Sequence, residues 1–196
     1  MRFPIVSLLI PCLVLLGCGG VFRGGGGEAR MVSVATGDAV SMRPTTAVYA
    51  KGFDASSADF YISDLPPEVW RSGGDVSDHS GSILHMHVFI SPKAGRTPIS
   101  NQASSSTARW LILSSGRVGV YGGGGFALKS GDVGDTSLGG RITDASMRLL
   151  RASEGFEDRL GASRLNASFT ARHDPEESAL IARTLAALTA HSGEVK

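Results

Sequence analysis

The sequence predicts a β-rich α+β domain: a largely antiparallel sheet with one C-terminal amphipathic helix packed on it. From Met31 onward, short runs of β-branched and aromatic residues alternate with clusters of Gly, Ser, Asp and Pro, which is typical of closely spaced strands. The 26 glycines exceed average usage and suit a turn-rich β protein. One segment near the C-terminus carries helix signals instead. A closed barrel is an open alternative, since closure would remove the exposed sheet edges.

The strands are predicted from hydrophobic runs bounded by turn residues. Segment 141–152 is ambiguous, but alternation of its side chains favours a strand over a helix. Ser115-Gly116 predicts a tight hairpin turn, residues 68–71 a turn or a single helical turn, and residues 72–80 and 92–107 polar loops. The predicted strands are 31–35, 45–50, 59–63, 82–91, 108–114, 117–121, 126–129, 141–152 and 164–171.

The C-terminal helix is predicted over residues 175–191. Asp174 is a suitable N-cap, Pro175 occupies the first helical position, and Glu177 completes an acidic first turn. Ser192-Gly193 ends the pattern. The apolar repeat comprises Ile181, Leu185 and Leu188. This amphipathic helix needs an apolar surface, which the sheet provides.

The N-terminal segment predicts export. Arg2 precedes a run that is almost wholly apolar up to Leu16, about the length of a signal-peptide core. The run is too short for a comfortable transmembrane helix, which needs roughly 20 apolar residues. Residues 1–17 are therefore interpreted as a signal peptide and 31–196 as a single domain. The glycine-rich segment 18–30 between them is interpreted as a flexible tether.

The sequence Leu15-Leu16-Gly17-Cys18 resembles the lipobox of bacterial lipoproteins. The resemblance covers only the first 18 residues, and it implies cleavage before Cys18 and covalent attachment of a diacylglycerol to that cysteine. Two or three acyl chains hold a protein stably at a bilayer. Gly19 stands where an aspartate often signals inner-membrane retention, so the resemblance favours the periplasmic side of the outer membrane in a host with two membranes. The alternative is an ordinary secretory signal with an incidental cysteine.

Charge excludes one class of function. Loss of residues 1–17 removes one of the 19 basic residues and leaves as many basic as acidic residues, 18 of each. A neutral domain is not expected to bind nucleic acid or to hold anionic lipids by charge. Partners are therefore expected to be the bilayer, through the acyl anchor, and an envelope protein.

Two histidines form a candidate metal site. His85 and His87 are two residues apart in a predicted strand, so their imidazoles share one face about 7 Å apart. With a third ligand such as Asp78, His79 or His173 they could bind zinc or copper. The alternative is that these side chains are structural and that Leu84, Met86, Val88 and Ile90 face the core. No cofactor is otherwise expected beyond the lipid on Cys18.

Glycine and carboxylate clusters provide weaker candidates. Gly122, Gly123, Gly124 and Gly125 could bring backbone N–H groups against a ligand, although a hairpin turn or a kink in a bent strand is the simpler interpretation. Segments 75–78 and 131–135 place carboxylates in loops without the full set of calcium ligands.

No catalytic motif is present in the sequence, so an enzyme is not favoured. The prediction is a non-catalytic binding or assembly module. The alternatives are a carrier of a small or apolar ligand and, third, a metal-dependent hydrolase using His85 and His87.

Overall fold

The computed structural model describes residues 26–54, 56–71, 79–89 and 104–195. The predicted signal peptide, Cys18 and most of the tether lie outside the described residues. So do residues 72–78, which include the carboxylate cluster 75–78, and residues 90–103.

The described residues form ten strands and two helices. The strands are β1 (Gly27–Ser33), β2 (Ala39–Met42), β3 (Thr46–Lys51), β4 (Ala58–Ser63), β5 (Gly81–Val88), β6 (Ser106–Ser114), β7 (Arg117–Ser130), β8 (Ser137–Ala152), β9 (Ser163–His173) and β10 (Gly193–Glu194). The helices are α1 (Glu68–Arg71) and α2 (Pro175–Ala190).

The sheet closes on itself. Strands β3 to β8 pair in sequence as antiparallel neighbours, and β9 pairs with both β8 and β3, so these seven strands form a ring. Among the described strands, only the β3–β9 pairing is parallel. Strands β1 and β2 extend from β9, and β10 pairs with the end of β8. The predicted, largely antiparallel sheet with a C-terminal helix is confirmed.

The interior of the ring is filled by one apolar cluster. Strand β9 shows the cause, because every second residue from Ser163 to Ala171 is buried, as the pleat of a strand with one covered face requires. Phe169 of β9 packs edge-on against Phe60 of β4, with ring centroids 5.1 Å apart. The largest side chains buried in this inner cluster are Trp110, Tyr49, Tyr121, Phe60, Met31, Met42, Ile62, Leu84 and Met86.

A second apolar cluster lies on the outside of the ring, under α2. It contains the predicted helix stripe, Ile181, Leu185 and Leu188, together with Val69 and Trp70 of α1. The sheet contributes Val48, Ile83, Leu111, Leu113, Val118 and Val120. The ring is thus covered on one side by α2, and its strands alternate between the two clusters.

The start of α2 follows the predicted capping pattern. Asp174 accepts a hydrogen bond from the backbone N–H of Glu177 at 2.9 Å, and Pro175 opens the helix. Glu177 itself is buried and accepts hydrogen bonds from Trp70 Nε1 (3.3 Å), Arg71 (2.5 Å) and Arg172 (3.1 Å). This one carboxylate therefore joins α1, α2 and the end of β9. Within the described part of the chain, neither helix is long and apolar enough to cross a bilayer.

Several boundaries differ from the sequence prediction. Strand β1 begins at Gly27, so residues 27–30 of the predicted tether lie in the sheet, where Gly27 to Ser33 pair with β9. Predicted strands 117–121 and 126–129 are one continuous strand, β7. Strands β2 and β10 were not predicted. β2 has only four residues of mixed polarity and β10 only two, which is too short for a pattern of alternating polarity to be recognised. The Ser115-Gly116 turn is confirmed, both residues having the positive φ of a tight hairpin turn.

Candidate functional site

The two predicted histidines meet a carboxylate on the outer face of the ring. In the β4–β5 ladder, Asp59 lies opposite His87 and Tyr61 opposite His85. His85 Nε2 and His87 Nδ1 each lie 2.9 Å from the same oxygen, Asp59 Oδ1. The Tyr61 ring stacks on the imidazole of His85, with centroids 4.7 Å apart. We call Asp59, Tyr61, His85 and His87 the histidine cluster.

The electrostatics of the histidine cluster follow from its half-buried position. Burial alone would raise the pKa of Asp59, but the hydrogen bonds and charge interactions with the imidazoles of His85 and His87 outweigh burial and hold that pKa below its usual range. Burial, with a smaller contribution from the Asp59 carboxylate, raises the pKa of Tyr61 to about 12. Asp59 is therefore an anion, and Tyr61 a neutral hydroxyl, across the physiological range.

Asp59 fixes the orientation of both imidazole rings, as a carboxylate orients a histidine in an acid–base pair. Each ring donates one N–H to Asp59 and presents its other nitrogen elsewhere. Of the suggested third metal ligands, His173 packs against Tyr49 at the end of β9, with ring centroids 5.0 Å apart, and His79 precedes β5. Asp78 lies outside the described residues. Among the described residues, no group of three or more His, Cys, Asp or Glu side chains is arranged to hold a metal ion. A metal-dependent hydrolase using His85 and His87 stays a prediction.

The four glycines lie within β7 and not in a loop. Gly122 to Gly124 pair with β6 on one side and with β8 on the other, and Gly125 pairs with Ser106 of β6. A methyl group on Gly123 would overlap the carbonyl oxygen of Ser146. The β7–β8 register shifts between Gly124 and Phe126, so the run accommodates a bulge and close strand contact. A strand is thus the setting of these glycines, and their ligand-binding role stays a prediction.

The carboxylates of segment 131–135 build the β7–β8 turn. Asp135 Oδ2 accepts from the backbone N–H of Asp132 at 2.9 Å, and Asp132 Oδ1 lies 3.8 Å from Lys129 Nζ. The Tyr49 hydroxyl donates to the carbonyl of Asp135 and accepts from the N–H of Gly134. The carboxylates of Asp132 and Asp135 thus have a structural role within this turn.

The ring has a cleft at one end, where β6 turns into β7 and β8 is joined to β9. The cleft has a volume of about 530 Å³, within the range of sites that hold small ligands or inserted side chains. Its apolar part is formed by Val40, Ile112, Tyr121, Phe156 and Leu160. Polar and charged residues at its rim are Asp38, Ser114, Arg117, Glu157 and Arg159. We call this feature the end cleft.

The loop 153–162 that forms one wall of the end cleft is held in place by several bonds. Asp158 Oδ1 accepts from the Tyr121 hydroxyl at 2.6 Å and from the backbone N–H groups of Leu160 and Gly161. Burial and the neighbouring Asp158 carboxylate raise the pKa of Tyr121, so its hydroxyl stays a donor. Phe156 packs directly on the backbone of Gly119, where a methyl group would overlap its ring. This wall of the end cleft is therefore held in place by hydrogen bonds and packing within the protein.

Sequence reasoning found the histidines but missed Asp59 as their partner and missed the end cleft entirely. Asp59 lay at the start of a predicted strand, but the long connection between β4 and β5 hides which residues face each other. The end cleft joins three segments that are far apart in sequence: residues 38–40, the β6–β7 hairpin and residues 155–160. No local pattern could have indicated it.

The described residues thus form a ring-shaped β sheet that is covered on one side by the outer helix α2 and has a cleft at one end. No family model matches this chain, and no curated protein or solved structure matches it either.

Proposed function

We propose that this protein is a membrane-anchored envelope lipoprotein whose domain is a non-catalytic binding or assembly module. The anchor is a lipid on Cys18, at the end of the lipobox-like sequence. The domain stands at the periplasmic face of a membrane and engages an envelope protein. The observation that carries the binding role is the end cleft, because one of its walls is held in place within the protein and its surface combines apolar and charged side chains.

A wall that is already held in place favours binding, because a partner does not have to order it on arrival. The apolar floor offers desolvation energy, and charged side chains of both signs at the rim offer discrimination between partners. Arg117 and Arg159 have no ion-pair partner among the residues that the structure describes, and the same holds for Asp38 and Glu157. These four charges are available to a ligand.

The test is cross-linking in living cells, followed by purification and mass spectrometry. The unmodified protein is compared with a Cys18→Ala variant, and Cys12→Ala is the matched control because that cysteine lies within the predicted signal. A single dominant partner, captured with the unmodified protein and with Cys12→Ala but lost with Cys18→Ala, is expected. Absence of any partner, with Cys18→Ala merely released from the membrane, would refute the assembly role.

A ligand carrier is the second candidate, and the volume of the end cleft favours it. A cleft of about 530 Å³ could hold a small amphipathic molecule. In that case the full-length protein purified from its own host should retain a molecule that organic extraction releases. A Val40→Trp variant, which places a large ring in the cleft, should lose that molecule. Release of the same molecule from both proteins would exclude the end cleft as its site.

A further inference from the structure

The strand beside the end cleft has an open hydrogen-bonding edge. β2 is the last strand on its side of the sheet, and it pairs only with β1 among the described strands. Ala39 and Val40 of β2 also line the end cleft. The open edge and the apolar floor are thus parts of one surface.

The register shows which backbone groups of β2 point outward. Ser33 N–H bonds to the carbonyl of Asp38 at 2.8 Å, so these two residues form a hydrogen-bonded pair between β1 and β2. Such pairs alternate along an antiparallel ladder. Val40 and Met42 therefore direct their N–H and C=O groups towards β1, while Ala39 and Ser41 direct theirs away from it. No described residue bonds to these outward groups.

We propose that β2 and the end cleft together bind an extended segment of a partner protein, which adds to the sheet as a further strand. This inference rests on the proposed function and specifies its binding mode. Backbone groups at Ala39 and Ser41 supply two donors and two acceptors to the incoming strand. Because side chains alternate along a strand, one apolar residue of the partner enters the cleft beside Val40.

The rim charges specify the kind of segment. Arg117 and Arg159 can form ion pairs with acidic side chains of the partner, and Asp38 and Glu157 can form ion pairs with basic ones. The segment is therefore short and alternating, with an apolar residue flanked by charged residues of both signs. Its length is set by β2, which has four residues and is followed by Pro44.

A proline substitution separates this binding mode from others. Proline is tolerated at an edge strand where the N–H faces solvent, but it removes the donor and blocks an incoming strand. Ser41→Pro should therefore leave the ring folded and lower affinity for the partner by about tenfold or more. Ser41→Thr keeps the N–H and is the matched control. The thermal midpoints of both variants are measured, so that loss of binding is not confused with loss of fold.

The experiment uses the full-length protein in cells, with a photo-cross-linking amino acid placed at Ala39, at Glu157, or at Arg148, an exposed residue of β8 that does not line the cleft. The expected result is capture of one partner from positions 39 and 157 but not from 148, lost in Ser41→Pro and kept in Ser41→Thr. Amide exchange in the purified complex should slow at Ala39 and Ser41. Capture that persists in a folded Ser41→Pro protein, or that occurs only from position 148, would overturn the binding mode and leave the assembly role standing. Absence of a partner at all positions would overturn both the binding mode and the assembly role.

If the Ser41→Pro protein does not fold, the charge-reversal variant Arg117→Glu takes its place in the same experiment. Arg117 is exposed and has no ion-pair partner among the described residues, so the fold should tolerate this change. Reduced capture from positions 39 and 157 would support the edge-and-cleft site. Undiminished capture would overturn it.

Discussion

Replacement of Glu177 by alanine should destabilise the domain more than any other single change to a charged residue of α2. The Glu177 carboxylate is buried and accepts from Trp70, Arg71 and Arg172. Its loss leaves the Trp70 indole N–H buried without an acceptor, which costs about 1–3 kcal/mol. The two arginines are more than half exposed, so solvent compensates most of their loss and each adds at most about 1 kcal/mol.

The expected loss is thus about 1–5 kcal/mol in the free energy of unfolding. For a domain of this size that corresponds to a fall in Tm of roughly 2–20 °C. The assay is urea unfolding followed by tryptophan fluorescence, since Trp70 lies at the altered contact. The control is Glu176→Ala, an exposed neighbour with the same change in helix propensity. A loss below about 0.5 kcal/mol for Glu177→Ala, equal to that of the control, would refute the role of this carboxylate.

Three further changes probe the histidine cluster, the ring and the outer helix. Because the folded-state pKa of Asp59 is lowered, its ionised form stabilises the fold above about pH 4, and this stabilisation is lost as pH falls through the lowered pKa. Urea unfolding between pH 3 and 7 should therefore show a smaller acid-induced loss for Asp59→Asn than for the unmodified protein, and identical profiles would contradict the paired geometry. Gly123→Ala forces a methyl group into the β7–β8 ladder and should lower the free energy of unfolding by at least about 2 kcal/mol. The control Gly26→Ala, at a position with open space around it, should lower it little. Equal thermal midpoints for the two variants would show that β7 and β8 are not in close contact. Leu185→Ala empties part of the outer cluster and should lower the free energy of unfolding, measured by chemical denaturation, by about 2–5 kcal/mol. The control Arg183→Ala changes an exposed residue and should lower it by less than about 0.5 kcal/mol. A similar small value for both variants would mean that α2 does not pack as described.

The sequence allowed prediction of the local elements, because periodicity and turn chemistry are local properties. The α2 signals at Asp174 and Pro175 and the alternation through 164–171 each lie within one segment, and both were predicted within a few residues. Segment 141–152, ambiguous between strand and helix, lies within β8. The glycines of β7 interrupted the hydrophobic pattern and split one strand into two predicted ones, although the backbone continues through them.

Long-range pairing could not be predicted, and the candidate sites depend on it. Ring closure requires Val48 and Tyr49 to meet Arg172 and His173, more than a hundred residues later in the chain. The cleft also depends on long-range pairing, because it brings together Val40, Ile112 and Phe156, which come from separate parts of the chain. His85 and His87 were placed on one face by the period of the strand, but their partner Asp59 depends on the register with β4. Register is fixed by packing of the whole ring and not by any single segment.

The proposal depends most directly on the chemistry at Cys18, and intact mass spectrometry of the N-terminal peptide from membrane-extracted protein tests it. The account predicts a peptide that begins at Cys18, lacks residues 1–17 and carries a diacylglycerol with or without a further acyl chain on its amino group. A peptide with unmodified Cys18, or one whose N-terminus lies at another residue, would contradict the lipid anchor.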